Sequence, residues 1–118
     1  MRRSIALVLV ALGLVVPATA AAPPPARVQV AADEFSLSLS RPAIKSGFAI
    51  VQLANFGEDP HDLRLRRAGG TRTYSLEIVR PGAVTNLETK LLPGKFTLWC
   101  SLGDHRRRGM QTVLVVRP

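Results

Sequence analysis

Cysteine, histidine and aromatic residues are scarce in this sequence of 118 residues. The chain contains one cysteine, two histidines and only 5% aromatic residues. A single cysteine excludes an intramolecular disulfide framework, and it excludes every zinc or iron–sulfur site that needs several cysteines. Any chemistry of this chain must therefore come from very few reactive side chains.

Long apolar runs and acidic residues are also lacking. No apolar run reaches the roughly 18 residues that a membrane-spanning helix needs. There are 8 Asp and Glu against 16 Lys and Arg, so the formal net charge is +8. The composition, with 47% hydrophobic and 20% charged residues, is typical of a globular protein and excludes disorder throughout the chain. The length suits one domain with its own core.

The first 20 residues have the pattern of a secretory signal peptide. Arg2 and Arg3 precede an apolar run from Ile5 to Val16, and the segment ends in Pro17 and Ala18-Thr19-Ala20. A charged start, a short apolar stretch and a small-x-small end predict export and cleavage. The alternatives are a membrane anchor and a buried first helix, but the run is short for an anchor. We therefore expect a signal helix that is removed.

Cleavage would leave a mature chain that begins near Ala21. It loses two arginines, so 14 basic and 8 acidic side chains remain, a net charge of +6. Residues 21–26 contain Pro23-Pro24-Pro25 and are predicted to be a stiff, Pro-rich lead-in. We expect the domain to span residues 27–118, to work in the periplasm or outside the cell, and to have no stable membrane insertion.

Apolar and polar residues alternate with a period of two over most of this domain. Leu63 and Leu65, for example, alternate with Arg64 and Arg66. This period is typical of half-buried antiparallel strands, and turn sequences such as Pro-Gly separate the runs. Short, regularly spaced strands predict an all-β sandwich or barrel. The segment 68–80 is ambiguous, since a short helix or an irregular stretch would also fit there.

The residues that bind soft metals fall in two places. Cys100, His105 and Met110 follow the spacing Cys-x4-His-x4-Met, and His61 ends a turn about forty residues earlier. Two imidazoles, a thiolate and a thioether are the donors of a blue-copper centre, a trigonal His₂Cys site with a weak axial Met. A buried cysteine, a loop histidine or a core methionine has an ordinary explanation when taken singly. All four in this spacing favour one copper site.

At this point the sequence resembles a known family, the cupredoxins of the plastocyanin/azurin group. The segment Leu92–Cys100 resembles their penultimate strand, in which a Pro-Gly turn leads to the ligand cysteine. The Cys-x4-His-x4-Met loop and the turn Asn55–His61 are similar to their copper-binding segments, and Asp33–Gly47 resembles the first hairpin of bacterial members. The resemblance covers nearly all of residues 27–118. It implies a Greek-key β-sandwich with one type 1 copper near one end.

Two positions depart from the family pattern. Many members have Pro-Gly before the second histidine ligand, where this chain has Gly103-Asp104. The residue after the first histidine is often Asn, and here it is Asp62. The resemblance implies that the backbone N–H of Asp62 points at the Cys100 sulfur. In that case the change from Asn to Asp alters only the side chain next to the metal site and leaves this backbone contact in place. The reduction potential stays open.

The leading hypothesis is an exported carrier of single electrons that cycles between Cu(I) and Cu(II). Cys100 would be the thiolate ligand, His61 and His105 the nitrogen ligands and Met110 the axial ligand. The alternative is a periplasmic copper chaperone or buffer, and a third possibility is a metal-free accessory module. We expect no enzyme, because two histidines that already serve a metal leave no catalytic arrangement.

Arginines flank the proposed ligands. Arg106, Arg107 and Arg108 lie between His105 and Met110, and Arg64, Arg66 and Arg67 follow His61. They would form a docking surface for an acidic redox partner, because complementary charge speeds encounter. The alternative is a solvated face that keeps the protein monomeric. Nucleic acid is not expected as a partner, since exposed aromatic residues in an array are missing.

Overall fold

The structure, a computed structural model, describes Met1 and residues 4–118. Arg2 and Arg3, the charged start of the expected signal peptide, lie outside the described residues. Residues 4–25 form neither helix nor strand, so the described part of the expected signal segment is not helical. Isolated helices shorter than about 12–15 residues are marginal in water, which accounts for this difference. Among the described residues, no helix has the length and apolar character needed to cross a bilayer.

Nine β-strands, joined by turns and short loops, make up the domain. Their bounds are β1 Ala26–Asp33, β2 Ser36–Leu39, β3 Ala43–Lys45, β4 Gly47–Asn55, β5 His61–Arg67, β6 Thr73–Val79, β7 Val84–Leu91, β8 Gly94–Trp99 and β9 Gln111–Arg117. The period-two alternation therefore correctly predicted an all-β domain.

The strands form two sheets packed face to face. The order is β2-β1-β4-β7 in the four-stranded sheet and β3-β9-β8-β5-β6 in the five-stranded sheet. Most neighbours are antiparallel, as expected, but β1 pairs with β4 and β3 pairs with β9 in parallel. The chain crosses between the sheets at β2–β3, β3–β4, β4–β5, β6–β7 and β7–β8, and the architecture is the expected Greek-key β-sandwich.

The core lies between the two sheets and consists of alternate residues of the central strands. Fully buried side chains include Val28, Val30, Val51, Leu53, Leu63, Leu65, Phe96, Leu98 and Leu114. In β4 the inward positions are Ala49, Val51 and Leu53, whereas the larger Phe48 is 48% exposed, and Phe56, directly after the strand, is 66% exposed. The outward orientation of Phe48 follows from the period of two, since it has the opposite parity to Leu53.

The ambiguous segment 68–80 contains strand β6, which pairs with β5. Its buried residues, Leu76 and Val79, are three positions apart, a spacing that resembles a helix more than a strand. A register shift explains this spacing, because Leu63 pairs with Leu76 while His61 pairs with Val79. The extra residue in β6 is a β-bulge, which returns both side chains to the inner face.

Candidate metal centre

The four predicted ligands lie at one end of the five-stranded sheet. His61 is the first residue of β5, Cys100 directly follows β8, and Met110 directly precedes β9. Since β8 lies between β5 and β9, these three strand ends are neighbours. His105 belongs to the loop that joins β8 to β9. The strand order therefore brings residues about forty positions apart to the same edge.

Three of the predicted donor atoms form a small triangle. Nδ1 of His61 lies 3.3 Å from Nδ1 of His105, and Cys100 Sγ lies 4.0 Å and 3.5 Å from these two nitrogens. Two nitrogens that bind one ion at about 2 Å in a trigonal plane are about 3.5 Å apart. The triangle therefore has the size that one metal ion requires. Among the described residues, it is the one group of three His, Cys, Asp or Glu side chains with metal-binding spacing.

The donor triangle is largely closed to solvent. Cys100, His61 and Met110 are fully buried, and His105 is partly exposed. The backbone of Met110 contacts both neighbouring ligands, because its N–H donates to the His105 carbonyl and its carbonyl accepts from the Cys100 N–H, each at 3.1 Å. The Met110 backbone is thereby fixed next to Cys100 and His105, while the role of its sulfur as axial ligand stays a prediction.

The loop between Cys100 and Met110 is a series of tight turns. The N–H of His105 donates to the Leu102 carbonyl at 3.0 Å, and the N–H of Gly109 donates to the Arg106 carbonyl at 3.1 Å. The ring of Phe35 packs on His105 with a centroid distance of 5.1 Å. These contacts hold the imidazole of His105 over the thiol of Cys100.

Asn55 holds the turn that ends at His61. Its buried side-chain amide donates to the carbonyls of Asp59 at 2.7 Å and Val79 at 3.0 Å. Its side-chain oxygen accepts from the N–H of Gly57 at 2.8 Å. A buried polar side chain with all these hydrogen bonds formed is rigid. The turn that it bonds to is therefore fixed, and so is the position of His61.

Glu34, which the sequence did not identify as a site residue, contacts the other side of the His61 ring. Its Oε1 lies 2.9 Å from His61 Nε2. Backbone hydrogen bonds from Asp59 and Glu58, and then the contact with His61, lower the pKa of Glu34 to about 2. The ionised carboxylate can only accept, so His61 donates through Nε2 and keeps the Nδ1 lone pair for the metal side.

No sequence signal distinguishes Glu34 from the other acidic residues. In the sequence analysis, Glu34 belongs only to the segment that resembles a first hairpin. It lies 27 positions before His61, so the sequence does not indicate their contact. Gly57 also contributes, because a Cβ at that position would overlap the Glu34 carboxylate. Only the folded chain shows that this glycine leaves room for a carboxylate.

Burial is the main influence on the Cys100 thiol. It raises the pKa of Cys100, and backbone hydrogen bonds from Leu102 and Asp62 partly oppose this. Because the buried thiol favours its neutral form, a metal that binds the thiolate must displace a proton.

The two departures from the family pattern have different surroundings. The Asp62 carboxylate is 2% exposed, and it accepts hydrogen bonds from the Ser101 N–H at 2.6 Å and from the Ser101 hydroxyl. It therefore ties the start of β5 to the residue after Cys100. Asp104 is exposed, and its carbonyl accepts from the Arg108 N–H at 3.1 Å.

Comparisons with known proteins found similarity at the level of structure. No protein-family model matches the sequence, and no curated protein matches it. Among solved structures, one similar chain is auracyanin A, a "blue" copper protein from Chloroflexus aurantiacus. It has 11% sequence identity and a TM-score of 0.64, over 80% of this chain and 100% of that chain.

Two further structures extend the comparison. A purple cupredoxin from Nitrosopumilus maritimus has 16% identity and a TM-score of 0.56, over 75% of this chain and 97% of that chain. A blue copper oxidase from Nitrosomonas europaea has 17% identity and a TM-score of 0.57, over 78% of this chain but only 38% of the oxidase. At these identities the likeness is one of fold, and it agrees with the architecture that the sequence predicted.

Proposed function

We propose that this chain, which has the cupredoxin fold, is an exported type 1 copper protein that carries single electrons. The observation that carries the proposal is the triangle of His61 Nδ1, Cys100 Sγ and His105 Nδ1, with sides of 3.3–4.0 Å. Copper proteins among the structural neighbours support the assignment.

The donor set suits copper better than other common metals. Structural zinc sites use four firm ligands, and magnesium and calcium prefer oxygen donors. One thiolate, two imidazoles and a thioether combine the soft sulfur that Cu(I) prefers with the nitrogen that Cu(II) accepts. We assign Met110 as the weak axial donor of this set. Bound copper would supply one-electron chemistry by cycling between Cu(I) and Cu(II).

The chain's part in this function is to keep the ligands still. The bonds of Asn55 hold the His61 turn, and the backbone bonds of Met110 hold both Cys100 and His105. Ligands that move little between oxidation states need little reorganisation, which favours fast electron exchange. His105 is the partly exposed ligand, so we assign its edge as the point nearest to a redox partner.

A basic surface surrounds this point. Arg106, Arg107 and Arg108 are exposed in the same loop, and the guanidinium of Arg108 lies 3.8 Å from the centre of the Phe35 ring. Phe35 in turn packs on His105. We propose that a partner with an acidic surface docks here, since opposite charge accelerates encounter.

The proposal assigns electron transfer to the chain and no substrate turnover. A copper oxidase is among the structural neighbours, but this chain corresponds to only 38% of it. The alternative, a copper chaperone or buffer, needs ligands that exchange metal readily with a partner. Complete burial of His61, Cys100 and Met110 disfavours it.

Export is part of the same proposal. Cleavage after residue 20 would release residues 21–118, with the Pro-rich lead-in 21–26 followed by the copper domain 27–118. Mass spectrometry of the protein recovered from the periplasm or the medium tests this. A mass that begins near Ala21 supports export, and an intact chain retained in the cytoplasm contradicts it.

Copper titration of the purified mature protein tests the function. Addition of Cu(II) is expected to produce the intense visible absorption of a copper–thiolate bond, and a mild reductant should bleach it reversibly. Cys100→Ser should abolish the absorption because it removes the thiolate. Arg107→Ser, a change of an exposed residue in the same loop, is the control and should keep it.

Two results would contradict this proposal. A colourless protein that binds only Cu(I) tightly would favour the chaperone. Visible absorption that persists in Cys100→Ser would show that the thiolate assignment is wrong.

A further inference from the structure

The Glu34 carboxylate is held firmly by the turn that carries His61. Its two oxygens each lie 3.0 Å from the N–H of Glu58, and Oε1 also accepts from the N–H of Asp59 at 2.7 Å. The same Oε1 lies 2.9 Å from Nε2 of His61. Three donors thus converge on one oxygen, on the side of the His61 ring that faces away from Cys100.

This arrangement determines which ring nitrogen carries the proton. An oxygen that already accepts from two backbone N–H groups offers no proton to His61, so Nε2 of His61 must donate. Nδ1 is then left with its lone pair, and Nδ1 is the atom that lies 4.0 Å from Cys100 Sγ and 3.3 Å from His105 Nδ1. A histidine held in this way by a carboxylate is pre-oriented as a metal ligand.

We infer that Glu34 is a positioning residue that fixes His61 in its metal-binding tautomer and, if the centre holds copper as proposed above, biases it toward the oxidised state. The bias toward the oxidised state rests on the proposed function, whereas the role in fixing the tautomer concerns the metal-free protein. Among the described residues, the Glu34 carboxylate bonds to the N–H groups of Glu58 and Asp59 and to Nε2 of His61, so its effect on the metal side passes through His61.

The bias toward oxidation follows from charge. A negative carboxylate on the imidazole N–H makes the ring a stronger donor, and it stabilises a doubly charged ion more than a singly charged one. The Glu34 side chain is 23% exposed, so water screens part of its charge, but its direct contact at 2.9 Å with the fully buried His61 ring retains a share of the effect. Removal of the charge should therefore weaken Cu(II) binding relative to Cu(I) binding and raise the reduction potential.

Two variants separate charge from position. Glu34→Gln removes the charge but retains an oxygen that can accept from the same three donors. Gly57→Ala keeps the charge, but its new Cβ would overlap the Glu34 carboxylate and displace this flexible side chain from His61. Glu58→Gln is the control, because it removes an exposed carboxylate from the same turn and keeps its backbone N–H.

The tautomer is measured in the metal-free protein by ¹⁵N NMR of the His61 ring. The wild type and Glu34→Gln are expected to show the Nε2–H form, and Gly57→Ala a mixture of both forms. A wild-type ring with its proton on Nδ1, or a mixture in the wild type, would overturn the inference whether or not the protein binds copper.

The reduction potential is measured on the copper-loaded protein. Glu34→Gln is expected to change the ratio of Cu(II) to Cu(I) affinity about tenfold, which for a one-electron couple raises the potential by about 59 mV. Glu58→Gln should shift it much less, because among the described residues the carboxylate that bonds to His61 is that of Glu34. Equal shifts in the two variants would overturn the claimed bias. A wild type without the copper–thiolate absorption would defeat the proposed function, and the NMR result would still decide the role of Glu34.

Discussion

Two carboxylates hold the segments that carry the proposed ligands, and they do so from opposite sides of His61. Glu34 binds the turn before His61 and the ring itself. Asp62, the residue after His61, binds the backbone and the hydroxyl of Ser101. Asp62 could be identified from its place beside a candidate ligand. Glu34 could not, because its partner lies 27 positions away.

The pKa of Glu34 predicts how the metal-free protein responds to acid. Its folded value is about 2 and its ordinary value is 4.5, so between these pH values the unfolded chain binds the proton more readily. The stabilisation is complete above about pH 4.5 and is lost as the pH falls through about 2. Urea unfolding at a series of pH values should show this loss in the wild type and a smaller one in Glu34→Gln. Parallel curves for the two proteins would contradict it.

At the scale of elements, the loop between β8 and β9 depends on close approach to the β1–β2 turn. Gly109 has a φ of +125°, and a Cβ there would lie 2.8 Å from the carbonyl oxygen of Phe35. Residues with a side chain rarely adopt this φ, so both the backbone conformation and the contact require glycine. The sequence contained the glycine, but the neighbouring turn that demands it is visible only in the fold.

Gly109→Ala is expected to destabilise the protein by about 1–3 kcal/mol, because strain at such a backbone position has this magnitude. It should also weaken copper binding, since the loop carries His105. Gly103→Ala is the matched control, as Gly103 lies in the same loop with a φ of +48° and open space around it. Urea unfolding and copper titration measure the two effects. Equal losses in both variants would show that contact with Phe35 is unimportant.

At the scale of the whole molecule, a run of three arginines lies close to the proposed copper site. The chain has 16 basic and 8 acidic residues, and three exposed arginines follow His105 directly. An electrostatic field of this kind attracts anions to the partly exposed ligand, and salt screens it.

Replacement of Arg106, Arg107 and Arg108 by Ser should slow oxidation of the reduced, copper-loaded protein by the anion hexacyanoferrate(III). We expect a decrease of about tenfold at low ionic strength and a weaker dependence on salt. The control replaces Lys45, Lys90 and Arg117, exposed cations at strand ends far from the ligand end, and removes the same charge. Stopped-flow kinetics measure both. An unchanged rate and salt dependence, or an equal decrease in the control, would reject a directed basic surface.

The sequence by itself determined the strand content and the residue types of the candidate site. Alternation of Leu63 and Leu65 with arginines is a local pattern, and so is the spacing of Cys100, His105 and Met110 within one loop. Local patterns of this kind involve only residues that are close in the sequence, so they can be interpreted without knowledge of the fold. The segment that became β6 was ambiguous because its bulge depends on the partner strand β5.

Only the tertiary structure decided the sheet order, the parallel pairs β1–β4 and β3–β9, and the contact that sets the tautomer of His61. Each of these depends on groups that are distant in the chain and become neighbours when two sheets pack on a shared core. Alternation of apolar and polar residues does not predict such pairing. It specifies which face of a strand is buried, but it leaves open which strand lies beside it. The proposed ligands could therefore be named from the sequence, whereas the carboxylate that contacts one of them was found only in the fold.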